Sequence, residues 1–122
     1  MASVLCTGAD ASLIATRKTI LERAGHRVTP VLSEIELIRV CAHERFDVAV
    51  VGQGISRNEK YHVLKLVRDH SPQAKVLELY TPTTGKVLED ADDWLEVPAT
   101  IPSELAERVS ALAPARSFRS AI

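Results

Sequence analysis

The sequence predicts an open α/β fold, one five-stranded parallel sheet between two helical layers in a three-layer α/β/α sandwich. Three observations carry that expectation. Short apolar runs alternate with amphipathic stretches along all but the last few of the 122 residues. The most apolar run, "FDVAVVG", shows no polar alternation, as a parallel strand covered on both faces requires. An S-x-x-E capping box precedes two of the amphipathic stretches, at Ser33 with Glu36 and at Ser56 with Glu59. The length suits a single domain with one core, expected over 1–113.

"SVLCT" is the first strand. A helix follows over 11–24, with Leu13, Ile20, Leu21 and Ala24 marking its inward face and Gly25 placed to end it in a left-handed conformation. "HRVTPV" is a short second strand near an edge, since Pro30 has no N–H to give a ladder. The Ser33 box opens a helix to about His43 that turns Ile35, Ile38 and Cys41 or Ala42 inward. After the "FDVAVVG" strand, the Ser56 box opens a helix to about His70 on Tyr61, Leu64 and Val67, which "SPQ" ends. "KVLELYT" and "DDWLEV" are the fourth and fifth strands, and "PTTGKVLEDA" between them has room for one or two helical turns. The last helix spans 101–113, with Pro102 in its first turn and Ile101, Leu105, Val109 and Leu112 buried. Residues 114–122 lack periodicity and read as a flexible tail; with Met1, they suggest a stand-alone chain.

Composition narrows the function. Hydrophobic residues at 46% and charged residues at 25% are a globular balance. Fifteen basic and sixteen acidic side chains leave a net charge of -1, which points away from nucleic acid and acidic membranes as partners. Aromatic residues at 4% leave little for stacking single-stranded bases. No signal-peptide pattern is present, nor an apolar run near the roughly 20 residues that span a bilayer, so the chain is expected in the cytoplasm. Cys6 and Cys41 read as buried free thiols.

Taken in order, "LERAGHRV", "RFDVAVVG" and "DADDWLEVP" resemble the response-regulator receiver domain, over about residues 3–113. The resemblance implies a flavodoxin-like sheet in the order 2-1-3-4-5. It also implies where the phosphorylation machinery belongs. The acidic pair that holds Mg²⁺ falls on Gly8 and Ala9, and the phosphoacceptor aspartate on Gly52. The sensing hydroxyl falls on Tyr80 or Thr81, and the lysine on Val97, followed by the family's proline as Pro98. Phosphoryl transfer to a carboxylate needs a nucleophile, a hard divalent cation and a positive charge on the leaving oxygens. Gly8, Ala9 and Gly52 offer no side-chain oxygen and Val97 no charge; Asp10 is the one carboxylate nearby. The resemblance is thus to a degenerate pseudo-receiver, with neither catalytic residues nor a cofactor. Tyr80 and Val97 lie seventeen positions apart, fewer than in the family, so the receiver's fourth helix is shortened or missing.

What replaces the lost chemistry is expected to be binding. Trp94, Asp92 and Asp93 are candidate partner contacts beside the shortened segment, within an acidic rim completed by Glu89, Asp90 and Glu96. The expected partner is a signalling protein, with homodimerisation a further possibility. The alternative is small-ligand sensing in a bare crevice at Gly8, Ala9, Gly52 and Gly54, where open α/β sheets bind ligands. "TGADAS" lacks the glycine spacing of a phosphate loop, and Asp10 is a plain helix cap. Lys86 in "TTGKV" is a solvated side chain on the shortened helix. His26, His43, His62 and His70 share no metal-ligand spacing.

Overall fold

In the computed structural model, which describes residues 1–99, 101 and 103–114, β1 (Ser3–Thr7), α1 (Ala11–Arg23), β2 (Arg27–Val31) and α2 (Glu34–His43) come first. β3 (Val48–Val51), α3 (Arg57–His70), β4 (Lys75–Tyr80), β5 (Asp93–Glu96) and α4 (Glu104–Leu112) complete the chain. Every strand pairing is parallel and the order is β2-β1-β3-β4-β5, as the sequence predicted. One core cluster lies between the sheet and α1 with α4, built on Val4, Val50, Leu77 and Val109; the other lies under α2 and α3, built on Leu5, Val51, Val67 and Val76. No described helix is long and apolar enough to cross a membrane.

Local chemistry sets the helix starts. Ser56 Oγ accepts the Glu59 N–H at 3.2 Å while Glu59 Oε1 accepts the Ser56 N–H at 3.1 Å, a complete capping box. At α2 the box reaches back one residue further: Ser33 caps the Glu36 N–H, and Glu36 accepts from the Leu32 N–H. Asp10 Oδ1 caps α1 by accepting from the Ser12 and Leu13 N–H groups. Gly25 follows α1 at φ 94°, the left-handed backbone that stops a helix cheaply only at glycine.

Several inward faces differ from the expectation. On α1 the buried set is Ile14, Arg17 and Leu21, whereas Leu13 and Ala24 are exposed and Ile20 is half-buried. On α2 it is Leu37 and Cys41, leaving Ile35, Ile38 and Ala42 outside. On each helix adjacent apolar residues offered two stripes, and packing against the sheet buries one of them. On α3 Tyr61 is exposed; its hydroxyl donates to Val87 O at 3.0 Å, and Lys60 takes the inward position instead. The last helix begins at Glu104, so Ile101 stands outside it and is exposed, while Leu105 and Val109 are buried as expected. The Pro102 position and the tail beyond 114 lie outside the described residues.

Residues 81–92 contain no helix. They run as an irregular strap across the α3 side of β4 and β5, and a buried charge holds them. Glu78, in the middle of β4, is fully buried. Its carboxylate accepts Lys60 Nζ at 2.7 Å and also the backbone N–H groups of Val87 and Leu88, at 3.0 and 2.8 Å. Lys60, buried too, donates a second bond to Leu79 O at 3.1 Å. Every polar atom of the pair is thereby satisfied, as a buried ion pair requires. Leu88 is fully buried over the strands where the sequence left room for a short helix, and Trp94 Nε1 donates to its carbonyl at 3.0 Å.

Glu78→Leu leaves the Lys60 ammonium and two strap N–H groups without their acceptor, and it should cost about 3–5 kcal/mol in urea denaturation. The double variant Lys60→Met with Glu78→Gln keeps an amide oxygen for the strap, and it should return to within about 2 kcal/mol of wild type.

Candidate functional site

The carboxyl ends of β1 and β3 are stapled together. Thr7, buried at the end of β1, donates its hydroxyl to Val50 O at 3.1 Å and accepts the Gly52 N–H at 3.4 Å. This brings the two backbones so close that a Cβ on Gly52 would lie 2.5 Å from Thr7 O and 3.2 Å from Gly8 Cα. Contacts to backbone atoms at that range cannot be relieved by turning a side chain. Glycine at 52 is therefore a packing requirement here, since its φ is not in the left-handed region. At Gly8 a Cβ would meet Ile14 Cδ1 at 2.9 Å, on the α1 residue that fills the space beneath the loop.

Of the positions singled out in the sequence, the structure brings Gly8, Ala9 and Gly54 to one shallow cleft, together with Asp10, Leu13, Arg17 and Gln53. The cleft volume is about 20 Å³. Sites for drug-sized ligands are roughly 300–1,000 Å³, so the expected crevice is largely closed. The Mg²⁺ that the fold family implies does not fit the residues present. Positions 8, 9 and 52 carry no oxygen-bearing side chain, and Asp10 Oδ1 is occupied as a helix cap. No group of three or more His, Cys, Asp or Glu gathers among the described residues.

The remaining positions are also committed elsewhere. Tyr80 ends β4 with its carbonyl accepting the Val97 N–H at 2.8 Å, and Lys86 Nζ lies 5.6 Å from its ring centre. The Thr81 hydroxyl closes a turn with Thr84, accepting that residue's N–H at 3.1 Å. Val97, which precedes a cis Pro98, is buried in the core under α1 and α4 and brings no charge near Gly52. Lys86 is on no helix: its ammonium also sits 5.1 Å over the Trp94 ring, so it is a lid on the indole.

Three residues proposed as partner contacts hold the fold. Trp94 is half-buried against the α3-side core. Asp92 Oδ2 accepts the Val76 N–H at 2.7 Å, fixing the start of β4. Asp93 pairs with Arg108 of α4 at 3.1 Å. Glu89, Asp90 and Glu96 are the exposed acidic residues of the rim whose carboxylates have no partner among the described residues. The histidines stay apart: His26 accepts the Ala2 N–H through Nδ1, and His62 meets Glu34 at 2.6 Å.

Sequence reasoning missed Arg17. It is buried on α1 and donates to Gln53 Oε1 at 2.8 Å across the cleft. Burial weakens its hold on its proton, and the nearby Cys6 and Asp10 work in the other direction. Its spacing of three and four from Ile14 and Leu21 was the available signal. Beside it, burial pushes the Cys6 thiol up to about 11, with Arg17 opposing; burial raises Cys41 as well.

The fold is that of receiver domains. The chemotaxis protein CheY4 of Vibrio cholerae superposes with a TM-score of 0.77 at 22% identity, covering 92% of this chain and 98% of that one. The receiver domain of the Francisella response regulator 1452 gives 0.75 at 22% identity, over 92% and 96%. The signal receiver domain of a putative Luxo repressor protein from Vibrio parahaemolyticus gives 0.77 at 15% identity, over 98% and 95%. No family model matches the sequence, and no curated protein matches it.

Gly52→Asp alone should take up no phosphate from acetyl phosphate with Mg²⁺, read by intact mass, and should lose about 1–3 kcal/mol of stability to overpacking. Cys6 sets a limit at high pH. Its folded pKa of about 11 lies above the ordinary 9.0, so its contribution is full below pH 9.0 and lost as pH rises through about 11. The stability difference between wild type and Cys6→Ala should shrink across that window in urea titrations.

Proposed function

We propose that this protein is a pseudo-receiver: a receiver-fold interaction module of bacterial signal transduction, acting in the cytoplasm without aspartyl phosphorylation and without catalytic residues of its own. The observation that carries this reading is the closed end of the sheet. The position of the phosphoacceptor is a glycine pressed against the β1 backbone, and the cation and metal-binding positions hold Val97, Gly8 and Ala9. Signalling through a receiver fold then rests on recognition by another protein, with binding in place of phosphate as the controlling event. The closed cleft weighs against the small-ligand alternative.

The proposed partner surface is the strap and β5. Glu78 fixes the strap to the sheet and Lys86 covers Trp94, so this ridge is preorganised and loses little entropy on binding. Its outer side carries Glu89, Asp90 and Glu96, so the partner is expected to present basic groups there. Trp94, Asp92 and Asp93 shape this surface from beneath and at its edge.

Reversing Glu89, Asp90 and Glu96 to lysine together should abolish capture of the partner from source-cell lysate while leaving the thermal midpoint within a few degrees, since each side chain is exposed. Undiminished capture by that folded variant places the partner elsewhere. Trp94→Ala is a poor control, because it also removes the Leu88 bond.

A further inference from the structure

α2 carries two apolar stripes and buries only one of them. Ile35 is 77% exposed and Ile38 47%, and Ala42 is exposed one turn on. On a helix of 3.6 residues per turn, Ile35, Ile38 and Ala42 fall within about 60° of each other. None of the three packs in either core cluster. Single exposed apolar residues are ordinary, but three along one side of one short helix make a patch. α2 also lies beside β2, an outer strand of the sheet.

The charges bordering the stripe are sorted by end. Glu34, which meets His62 of α3, and Glu36, which accepts the Leu32 N–H, stand in the first turn. Arg39, His43 and Arg45 follow toward the other end, where the one carboxylate, Glu44, is taken by the Thr29 hydroxyl. Neither arginine is in an ion pair among the described residues. A second copy laid antiparallel over α2 places each acidic start against a basic end, and it also sets the two helix dipoles in opposition. A parallel arrangement would put like charges together. A surface that complements itself in this way is what a twofold contact needs. We propose that α2 is a homodimer interface, two copies packing antiparallel about an axis near Ile38. The net charge of -1 sets up little long-range repulsion against it. A ten-residue helix with its leading loop offers less than the area of a standard interface, so the dimer is weak, with a dissociation constant on the order of tens of micromolar. The inference is independent of the missing phosphorylation chemistry, because α2 gives that site no residue. It also leaves the β5 edge, on the opposite side of the sheet, free.

Sedimentation equilibrium of the whole chain, from about 5 µM to about 1 mM, tests it. Wild type should pass from monomer to dimer over that range, and Ile38→Glu should weaken association at least tenfold with an unchanged melting curve in dilute solution. Ile38→Cys should form a disulfide-linked dimer on mild oxidation, because an axis near residue 38 brings the two copies within reach; Leu13→Cys on α1 should not. The buried Cys6 and Cys41 do not compete. A wild type that stays monomeric throughout overturns the proposal, as it would if the stripe serves another protein. Self-association that ignores Ile38→Glu, or an Ile38→Cys dimer that does not cross-link, overturns it equally.

Discussion

One buried carboxylate organises the strap between β4 and β5 and the side of the sheet it covers. Glu78 stands where a parallel strand covered on both faces ordinarily places an apolar side chain, and it has four bonding tasks: one from Lys60 and the rest to the backbone of the strap. An unpaired carboxylate in that position would cost several kcal/mol. Pairing with Lys60 removes the penalty, and the two N–H groups of Val87 and Leu88 then fix the strap in register. A helix satisfies its own backbone, whereas an irregular segment must find outside acceptors. Glu78 is the acceptor that lets an irregular strap cover the sheet here.

A second constraint is steric. In a domain that phosphorylates itself, the strand ends must stand far enough apart for carboxylates, a cation and a phosphoryl group. Here Thr7 bridges β1 to β3 and Gly52 permits the approach. The space that chemistry would need is occupied by backbone, and Ile14 and Arg17 fill in from α1. The closed strand ends and the fixed strap on the α3 side are separate structural facts. Together they underlie the proposal of a domain that presents fixed surfaces rather than one that switches at a phosphorylated aspartate.

The fold was legible in the sequence because unalternated apolar runs, capping boxes and Gly25 each have one local meaning. The resemblance is what assigns positions 8, 9, 52 and 97 to a phosphorylation site, and the structure adds why Gly52 cannot simply be replaced. The inward faces of α1 and α2 were less legible. In "EIELIRVCAH" Ile35, Ile38 and Ala42 compete with Leu37 and Cys41, and periodicity alone cannot choose between two stripes. Lys60 and Glu78 were invisible for a different reason: each reads as a solvated charge until its partner is known. A signal existed, since Lys60 sits three and seven positions before Val63 and Val67, on the inward stripe. A glutamate inside an otherwise apolar central strand also calls for a cation.

The most direct test of the central claim is whether the wild-type protein responds to a phosphoryl mimic. Amide spectra of the ¹⁵N-labelled chain, recorded while beryllofluoride and Mg²⁺ are added, report on Gly8, Gly52 and Tyr80 individually. The account predicts no saturable shift at any of these positions, because no carboxylate receives the beryllium and the strand ends are closed. Saturable shifts at Gly8 and Gly52 that spread to the strap would contradict it, showing that this end of the sheet opens and still binds the ligand of an active receiver.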